Sequence, residues 1–140
     1  MSYIIRSGNL TATPVLRNNT ETGAPYCFAR VAVNDRAKDG EGRWQNVGTS
    51  FYDLTVSGDT AQRLVALAEE SGNVRLVFAG RYVVREFKRK DGSTGSAHTV
   101  RVDALGVSLR GQDIHVTRSP NRTSELVEPE DEEWREFATF

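Results

Sequence analysis

Apolar and polar side chains alternate with a period of two along two stretches of this chain, and this feature restricts its fold most strongly. Successive side chains of a β-strand point to opposite faces, so the alternation indicates strands that bury one face. The stretches run from Tyr26 to Asn34 and from Phe51 to Ser57. Their predicted inward sets are Cys27, Ala29, Val31 and Val33 in the first, and Tyr52, Leu54 and Val56 in the second.

Two longer strand-like segments, residues 74–87 and 98–109, each contain a glycine. Glycine inside a strand is typical of a bulge or bend, which lets a barrel strand change direction. We therefore predict a bend at Gly80 and a second one at Gly106.

A helical period occurs in residues 60–70, which lie between the third and fourth predicted strands. Asp59 or Thr60 is the predicted N-cap, and Ser71-Gly72 supplies the stop. Turn-forming residues separate the remaining strands. The resulting order is β-β-β-α-β-β, an all-β domain with one helix. It fits the OB-fold, a five-stranded Greek-key barrel that binds oligonucleotides, although other small β proteins also carry one helix.

The length of 140 residues, with 38% hydrophobic and 26% charged residues, is typical of one globular domain. The sequence has no apolar run long enough to cross a bilayer and no secretory signal at its start. Its one cysteine, Cys27, cannot form an internal disulfide and is expected to be a core thiol. We expect a cytoplasmic, nucleoid-associated protein that does not bind membranes.

The net charge of -1 hides an uneven distribution. Residues 1–120 carry 16 Lys and Arg against 12 Asp and Glu, a net charge of +4. Residues 121–140 carry 2 against 7, a net charge of −5. A body that binds a polyanion with an acidic extension has this pattern, and so does a solvated body with a solubilising tail. Charge alone favours neither.

Catalytic and metal-binding signatures are missing from the sequence. His98 and His115 are isolated from each other and from any nucleophile motif, and no Cys/His ligand spacing or phosphate-binding glycine loop occurs. We therefore predict a protein that is not an enzyme, with no catalytic residue, no metal and no cofactor.

The outward strand faces carry the groups that single-stranded nucleic acid requires, which are aromatic rings for bases and cations for phosphates. Phe51 lies opposite the predicted core residues of its strand, and Phe87 shares a face with Arg85. Tyr26 and Phe28 flank Arg30. Each ring could instead pack in a second sheet face or a subunit interface, and periodicity alone favours that interpretation for Phe51 and Phe87.

Both long hairpins add cations. One carries Lys38 and Trp44, and the other carries Lys88 and Lys90; we predict that these four residues also contact nucleic acid. A basic hairpin is usually only solvated, and Trp44 could equally be buried against a neighbour. The pattern is suggestive rather than specific.

Several motifs, taken in order, resemble the bacterial single-stranded-DNA-binding proteins over about residues 3–110. The matching segments are Gly8-Asn9-Leu10, Thr13-Pro14-Val15-Leu16-Arg17, Val31-Ala32-Val33-Asn34, Ser50-Phe51-Tyr52-Asp53-Leu54, residues 79–81, Phe87 with Lys90-Asp91-Gly92, and residues 100–109. The resemblance implies an OB barrel, a homotetramer, and Arg17, Arg30 and Arg85 as phosphate contacts.

The resemblance also implies stacking aromatics at four positions. Phe51 and Phe87 match two of them, whereas Ala37 and Ser57 stand near the other two and cannot stack. Arg6 and Ser7 replace apolar residues of the first strand, so that strand is expected to pack differently.

The acidic tail differs from the family pattern of a long linker and a Pro-Phe tip, because its linker is short and it closes on Phe140 without the proline. Three interpretations stay open: docking of replication or repair proteins, competition with DNA for the basic groove, and simple solubility. The predicted docking residues are Asp131, Glu132, Glu133, Trp134, Phe137 and Phe140.

We expect residues 1–110 to form an OB-fold domain that binds single-stranded DNA, and residues 111–140 to form a linker and acidic tail. The expected function is sequence-tolerant binding and protection of single-stranded DNA in replication, recombination or repair. The motif set resembles a specialised short-tailed paralogue. The alternative is an OB-fold protein-interaction module, such as a primosome-type factor, with little DNA binding.

Overall fold

Long antiparallel hairpins dominate the computed structural model, which describes residues 2–119. This part of the chain contains six strands and one helix. They are β1 (Ser2–Leu10), β2 (Arg17–Asn18), β3 (Pro25–Lys38), β4 (Trp44–Ser57), α1 (Asp59–Ser71), β5 (Arg75–Lys88) and β6 (Thr94–Val107).

The five long strands close into a barrel in the order β1–β5–β6–β4–β3, and β3 pairs back to β1. The β4–β6 pairing is parallel, and the other pairings are antiparallel. The predicted OB-fold, mainly β with the helix after the third long strand, is confirmed. The two-residue β2, which the sequence pattern did not predict, extends the sheet beside β3.

The predicted inward faces form the barrel core. Cys27, Val31 and Leu54 are fully buried, and the other predicted inward residues of β3 and β4 are buried with them. Burial raises the pKa of the Cys27 thiol, as expected for a core cysteine. Helix α1 adds Leu64 and three smaller side chains to the same core.

The ladder between β5 and β6 shifts register at Gly80, as predicted. A Cβ on Gly80 would lie 2.1 Å from the carbonyl oxygen of Arg101, so the two backbones approach too closely there for any other residue. The unpaired residue of β6 is Asp103, and Gly106 pairs with Val77 in regular register. The register shift at Gly80 and the unpaired Asp103 are therefore one irregularity, and the bend predicted at Gly106 does not interrupt the ladder.

Helix α1 begins after Gly58, not after a side-chain cap. The prediction of Asp59 or Thr60 as the N-cap is wrong, because Gly58 takes the cap position with a φ of 73°, a value that favours glycine. Asp59 lies in the first turn and forms an ion pair with Arg63 at 2.7 Å. The predicted stop at Gly72 is confirmed. Within residues 2–119, no helix is both long and apolar enough to cross a membrane.

Arg6 explains how a charged residue fits the first strand. Its guanidinium bonds the Asp35 carboxylate at 3.1 Å and lies 5.8 Å from the centre of the Tyr52 ring. The Ser50 hydroxyl donates a second bond to Asp35 at 2.7 Å. The Ser50 hydrogen bond, together with Arg6, lowers the pKa of Asp35. A polar bridge therefore joins β1 to β3 and β4 where the resemblance implies apolar contacts.

Candidate nucleic-acid interface

The outward face of β3, β4, β5 and β6 contains a shallow groove of about 460 Å³. Alternation sends the even-numbered residues of β4 from Tyr52 to Val56 into the core, so Phe51 and its odd-numbered neighbours point outward. The groove brings together three residues predicted from sequence. They are Arg30, Phe51 and Phe87.

Phe51 lines this groove with 43% of its surface exposed. The guanidinium of Arg30, on the neighbouring strand β3, lies 4.7 Å from the ring centre. Such a cation–π contact at an exposed site is worth about 0.5–1 kcal/mol. Phe51 is thus on the surface of the single chain and does not pack against a second sheet face within residues 2–119, while the interpretation as a subunit interface stays a prediction.

Phe87 reaches the same groove from β5 and is 46% exposed. Its cross-strand partner is Gly95, where a Cβ would lie only 2.7 Å from the tip of the Phe87 ring and 2.8 Å from the Arg89 guanidinium. Arg89 lies 5.5 Å from the ring centre and also donates to the carbonyl of Thr94. The bare backbone of Gly95 therefore makes room for both side chains.

A cationic hollow of about 320 Å³ opens on the outward surface of β4, β5 and β6. Arg85 was predicted as a phosphate contact, and the structure adds Arg81 and Arg101 beside it. Residues 81, 83, 85 and 87 are two positions apart and therefore share one face of β5. This spacing could have placed Arg81 with Arg85 and Phe87 from the sequence. Arg101 could not be placed without the β5–β6 register, which pairs it with Arg81.

The β3–β4 hairpin carries Lys38 and Trp44 as a cross-strand pair. The Lys38 ammonium lies 5.3 Å from the centre of the Trp44 ring, which is 63% exposed and not buried against a neighbour. The turn is organised by Asp39, which accepts hydrogen bonds from the backbone N–H groups of Glu41 and Arg43. This pair lies near the hairpin turn and does not line the groove.

The remaining predicted cations are exposed but lie outside the groove. Lys88 and Lys90 occupy the turn end of the β5–β6 hairpin. Arg17 lies on β2 at the opposite edge, where it pairs with Tyr26 of β3. The predicted docking residues Asp131, Glu132, Glu133, Trp134, Phe137 and Phe140 lie outside the described residues.

The two positions that lack a stacking ring are both on the surface. Ala37 pairs with Gln45 in the β3–β4 hairpin, and Ser57 pairs with Tyr26 at the other end of the same ladder. Asp53 is an acidic group within the groove, where it faces Arg30 across the ladder. The groove is therefore cationic but not uniformly so.

His98 lines the groove and also packs against neighbouring aromatic rings. Its ring stacks on Tyr82 at 5.8 Å with an interplanar angle of 9°, and its Nδ1 shares a hydrogen bond with the Tyr82 hydroxyl. The ring of Tyr52 lies 5.4 Å away. Among residues 2–119, no three His, Cys, Asp or Glu side chains are grouped closely enough to hold a metal ion.

Comparison with known sequences gives consistent matches. The model of the "Single-strand binding protein family" matches residues 1–108. A "Single-stranded DNA-binding protein" of Mycolicibacterium smegmatis is 32% identical over 118 residues, which is 84% of this chain and 67% of that protein. The protein of the same name from Mycobacterium tuberculosis (strain ATCC 25618 / H37Rv) is 30% identical over 118 residues, again 84% of this chain and 68% of its own length.

A solved structure agrees with these sequence matches. The crystal structure of the small single-stranded DNA-binding protein from Streptomyces coelicolor superimposes with a TM-score of 0.60 at 26% sequence identity. The alignment covers 78% of this chain and 95% of that one.

Proposed function

This chain belongs to the single-strand binding protein family, and we propose that it binds single-stranded DNA through the groove that holds Phe51 and Phe87. The observation that carries the proposal is the joint placement of two exposed rings, each with an arginine beside it. Family membership favours this function over the alternative of a protein-interaction module.

Binding through this groove is expected to tolerate any base sequence. Every base has a π-face that can stack on a ring, and stacking contributes about 1–3 kcal/mol for each base. The arginines of the hollow, Arg81, Arg85 and Arg101, are proposed to contact phosphates, which carry no sequence information. Lys38, Lys88 and Lys90 are proposed to extend this cationic path along the hairpins.

The decisive experiment titrates a fluorescent oligo-dT with the wild-type chain and with Phe51→Ala and Phe87→Ala variants. Each substitution is expected to weaken binding by about 5- to 150-fold, the equivalent of one lost stack. Phe51→Trp should retain binding, and Leu109→Ala, an exposed residue outside the groove, should behave as wild type.

Salt dependence and competitor nucleic acids complete the test. For single strands, the logarithm of the binding constant should fall with the logarithm of salt concentration by about 0.7 for each phosphate contacted. Failure to bind single-stranded DNA, single-stranded RNA and duplex alike would contradict DNA binding. Wild-type affinity in both alanine variants would contradict the assignment of Phe51 and Phe87.

We further propose that four copies of the chain assemble. Strand β1 pairs with β3 only at Asn9 and Leu10, so much of its outer edge has no strand beside it within residues 2–119. Ile5 on this strand is 68% exposed. Unpaired strand edges with exposed apolar residues favour association. Native mass spectrometry should give four times the 15.5 kDa chain mass, and a monomer would contradict assembly.

The acidic tail is proposed to dock replication and repair proteins through Trp134, Phe137 and Phe140, set among acidic residues. This role is proposed together with protection of DNA in the cytoplasm at the nucleoid. The test compares the full chain with one shortened after Ser119 for binding of purified replication proteins. Equal binding by both would contradict docking. Tighter DNA binding by the shortened chain would instead support competition.

A further inference from the structure

A second pair of rings, the half-buried Tyr26 and the exposed Phe28, stands on the outward face of β3, apart from the groove. Tyr26 and Phe28 alternate with the buried residues Cys27 and Ala29, so both side chains point away from the core. Phe28 is 56% exposed. The two ring centres are 5.6 Å apart with an interplanar angle of 75°, an edge-to-face contact that supports one ring with the other.

Short polar side chains on β4 and an arginine on β2 lie beside these rings. Across the β3–β4 ladder, Tyr26 pairs with Ser57 and Phe28 pairs with Thr55. Across the β3–β2 ladder, Tyr26 pairs with Arg17. Because the neighbours on β4 are short, they leave the Phe28 ring projecting into solvent.

Arg30 connects this pair to the groove. It follows Phe28 by two residues on the same face of β3, a separation of about 7 Å, and its guanidinium lies over the Phe51 ring. Cations therefore stand on both sides of the aromatic pair, Arg17 at one end and Arg30 at the other. One outward surface thus runs from Arg17 through Phe28 and Arg30 to Phe51.

The side chains beside Tyr26 and Phe28 favour a nucleic acid over a second protein chain as the occupant. Aromatic residues and arginine are also enriched in protein interfaces, but these rings are bordered by hydroxyls and by two arginines, and none of their ladder partners is acidic. Rings flanked by cations are the arrangement that single strands require.

We propose that Tyr26 and Phe28 form a second base-stacking site, which takes further bases of the same DNA strand that occupies the Phe51–Phe87 groove. Phe28 provides the stacking face, Tyr26 supports it, and Arg17 binds a phosphate beyond it. This inference rests on the proposed function, because the second site extends the first.

The test uses two substitutions at one position and two lengths of oligo-dT. Phe28→Leu keeps apolar volume but removes the ring, and Phe28→Trp keeps a stacking face. With an oligomer of about 15 nucleotides, Phe28→Leu should lose about 5- to 150-fold in affinity, and Phe28→Trp should lose little. With about 5 nucleotides, enough for the groove alone, the loss should be much smaller.

Three outcomes would overturn the second site while leaving DNA binding intact: equal binding of the long oligomer by wild type and Phe28→Leu, equal loss at both lengths, or a change of native mass in Phe28→Leu. The last would mean that the rings hold copies of the chain together. Failure of the wild-type chain to bind either oligomer would instead contradict the proposed function itself. In the Phe28→Trp variant, quenching of tryptophan fluorescence beyond the wild-type change would support direct stacking.

Discussion

At the scale of single residues, the exposed rings are paired with cations before any ligand arrives. Arg30 covers Phe51 and Arg89 lies beside Phe87. Each exposed cation–π contact contributes about 0.5–1 kcal/mol, whereas a stacked base contributes about 1–3 kcal/mol. In the proposed binding mode, a stacked base would therefore replace the guanidinium with a net gain, and the released arginine would contact a phosphate. The cations hold the rings in place without blocking them.

Gly95 provides a prediction at the same scale. A Gly95→Ala variant should lose affinity for oligo-dT by about as much as Phe87→Ala, since the new methyl group displaces the Phe87 ring and Arg89. Stability should change little, because both displaced groups are ends of exposed side chains and not backbone. Fluorescence titration and thermal unfolding measure the two effects. In the double variant with Phe87→Ala, a further loss as large as the first would show that Gly95 acts independently of the ring.

At the scale of elements, the β5–β6 hairpin depends on one point of close backbone approach. Gly80→Ala should destabilise the protein by about 1–3 kcal/mol or more, because the methyl group meets the backbone of Arg101 and β6 must shift. Gly106→Ala is the matched control, since it lies in the same ladder with open space around it. In urea unfolding, Gly80→Ala should have a lower midpoint than Gly106→Ala. Equal midpoints would contradict this account of the bulge.

Much of this element pattern is predictable from the sequence, because periodicity reports which face of a strand is buried. It identified Phe51 and Phe87 as outward residues and Gly80 as a bend. It could not place Arg101 beside Arg81, since strand register depends on contacts distant in sequence. The helix-capping preference of Asp59 also misled the prediction of where α1 begins. Gly58, with its positive φ, occupies the N-cap position instead.

At the scale of the whole molecule, a partly exposed ion pair supplements the short β1–β3 ladder that closes the barrel. The Arg6–Asp35 pair and the Ser50 hydroxyl join three strands where β1 meets the rest of the sheet. The lowered pKa of Asp35 means that its charged form is favoured more in the folded chain than in the unfolded chain. The stabilising effect is therefore complete above the ordinary aspartate pKa of about 3.9, and it is lost as the pH falls through the lowered value.

An Asp35→Asn variant tests this linkage. It should be less stable than wild type at neutral pH, and the difference should shrink as the pH falls from about 5 towards 2, because wild type then loses the same charge. Thermal unfolding across that range gives the comparison, with Asp113→Asn, an exposed carboxylate after β6, as the control. A difference that stays constant with pH would assign Asp35 a role independent of its charge.

The Tyr26–Ser57 pair has a consequence for the comparison of sequences within this family. The resemblance implies a ring near Ser57, and the neighbour of Ser57 across the ladder is the aromatic residue Tyr26. If a large and a small side chain exchange places within one cross-strand pair, here called a rung, the surface stays similar. The residue types at both sequence positions nevertheless change. We therefore expect the binding surfaces of such barrels to compare better rung by rung than position by position, since a ring absent from one strand can stand on the adjacent one.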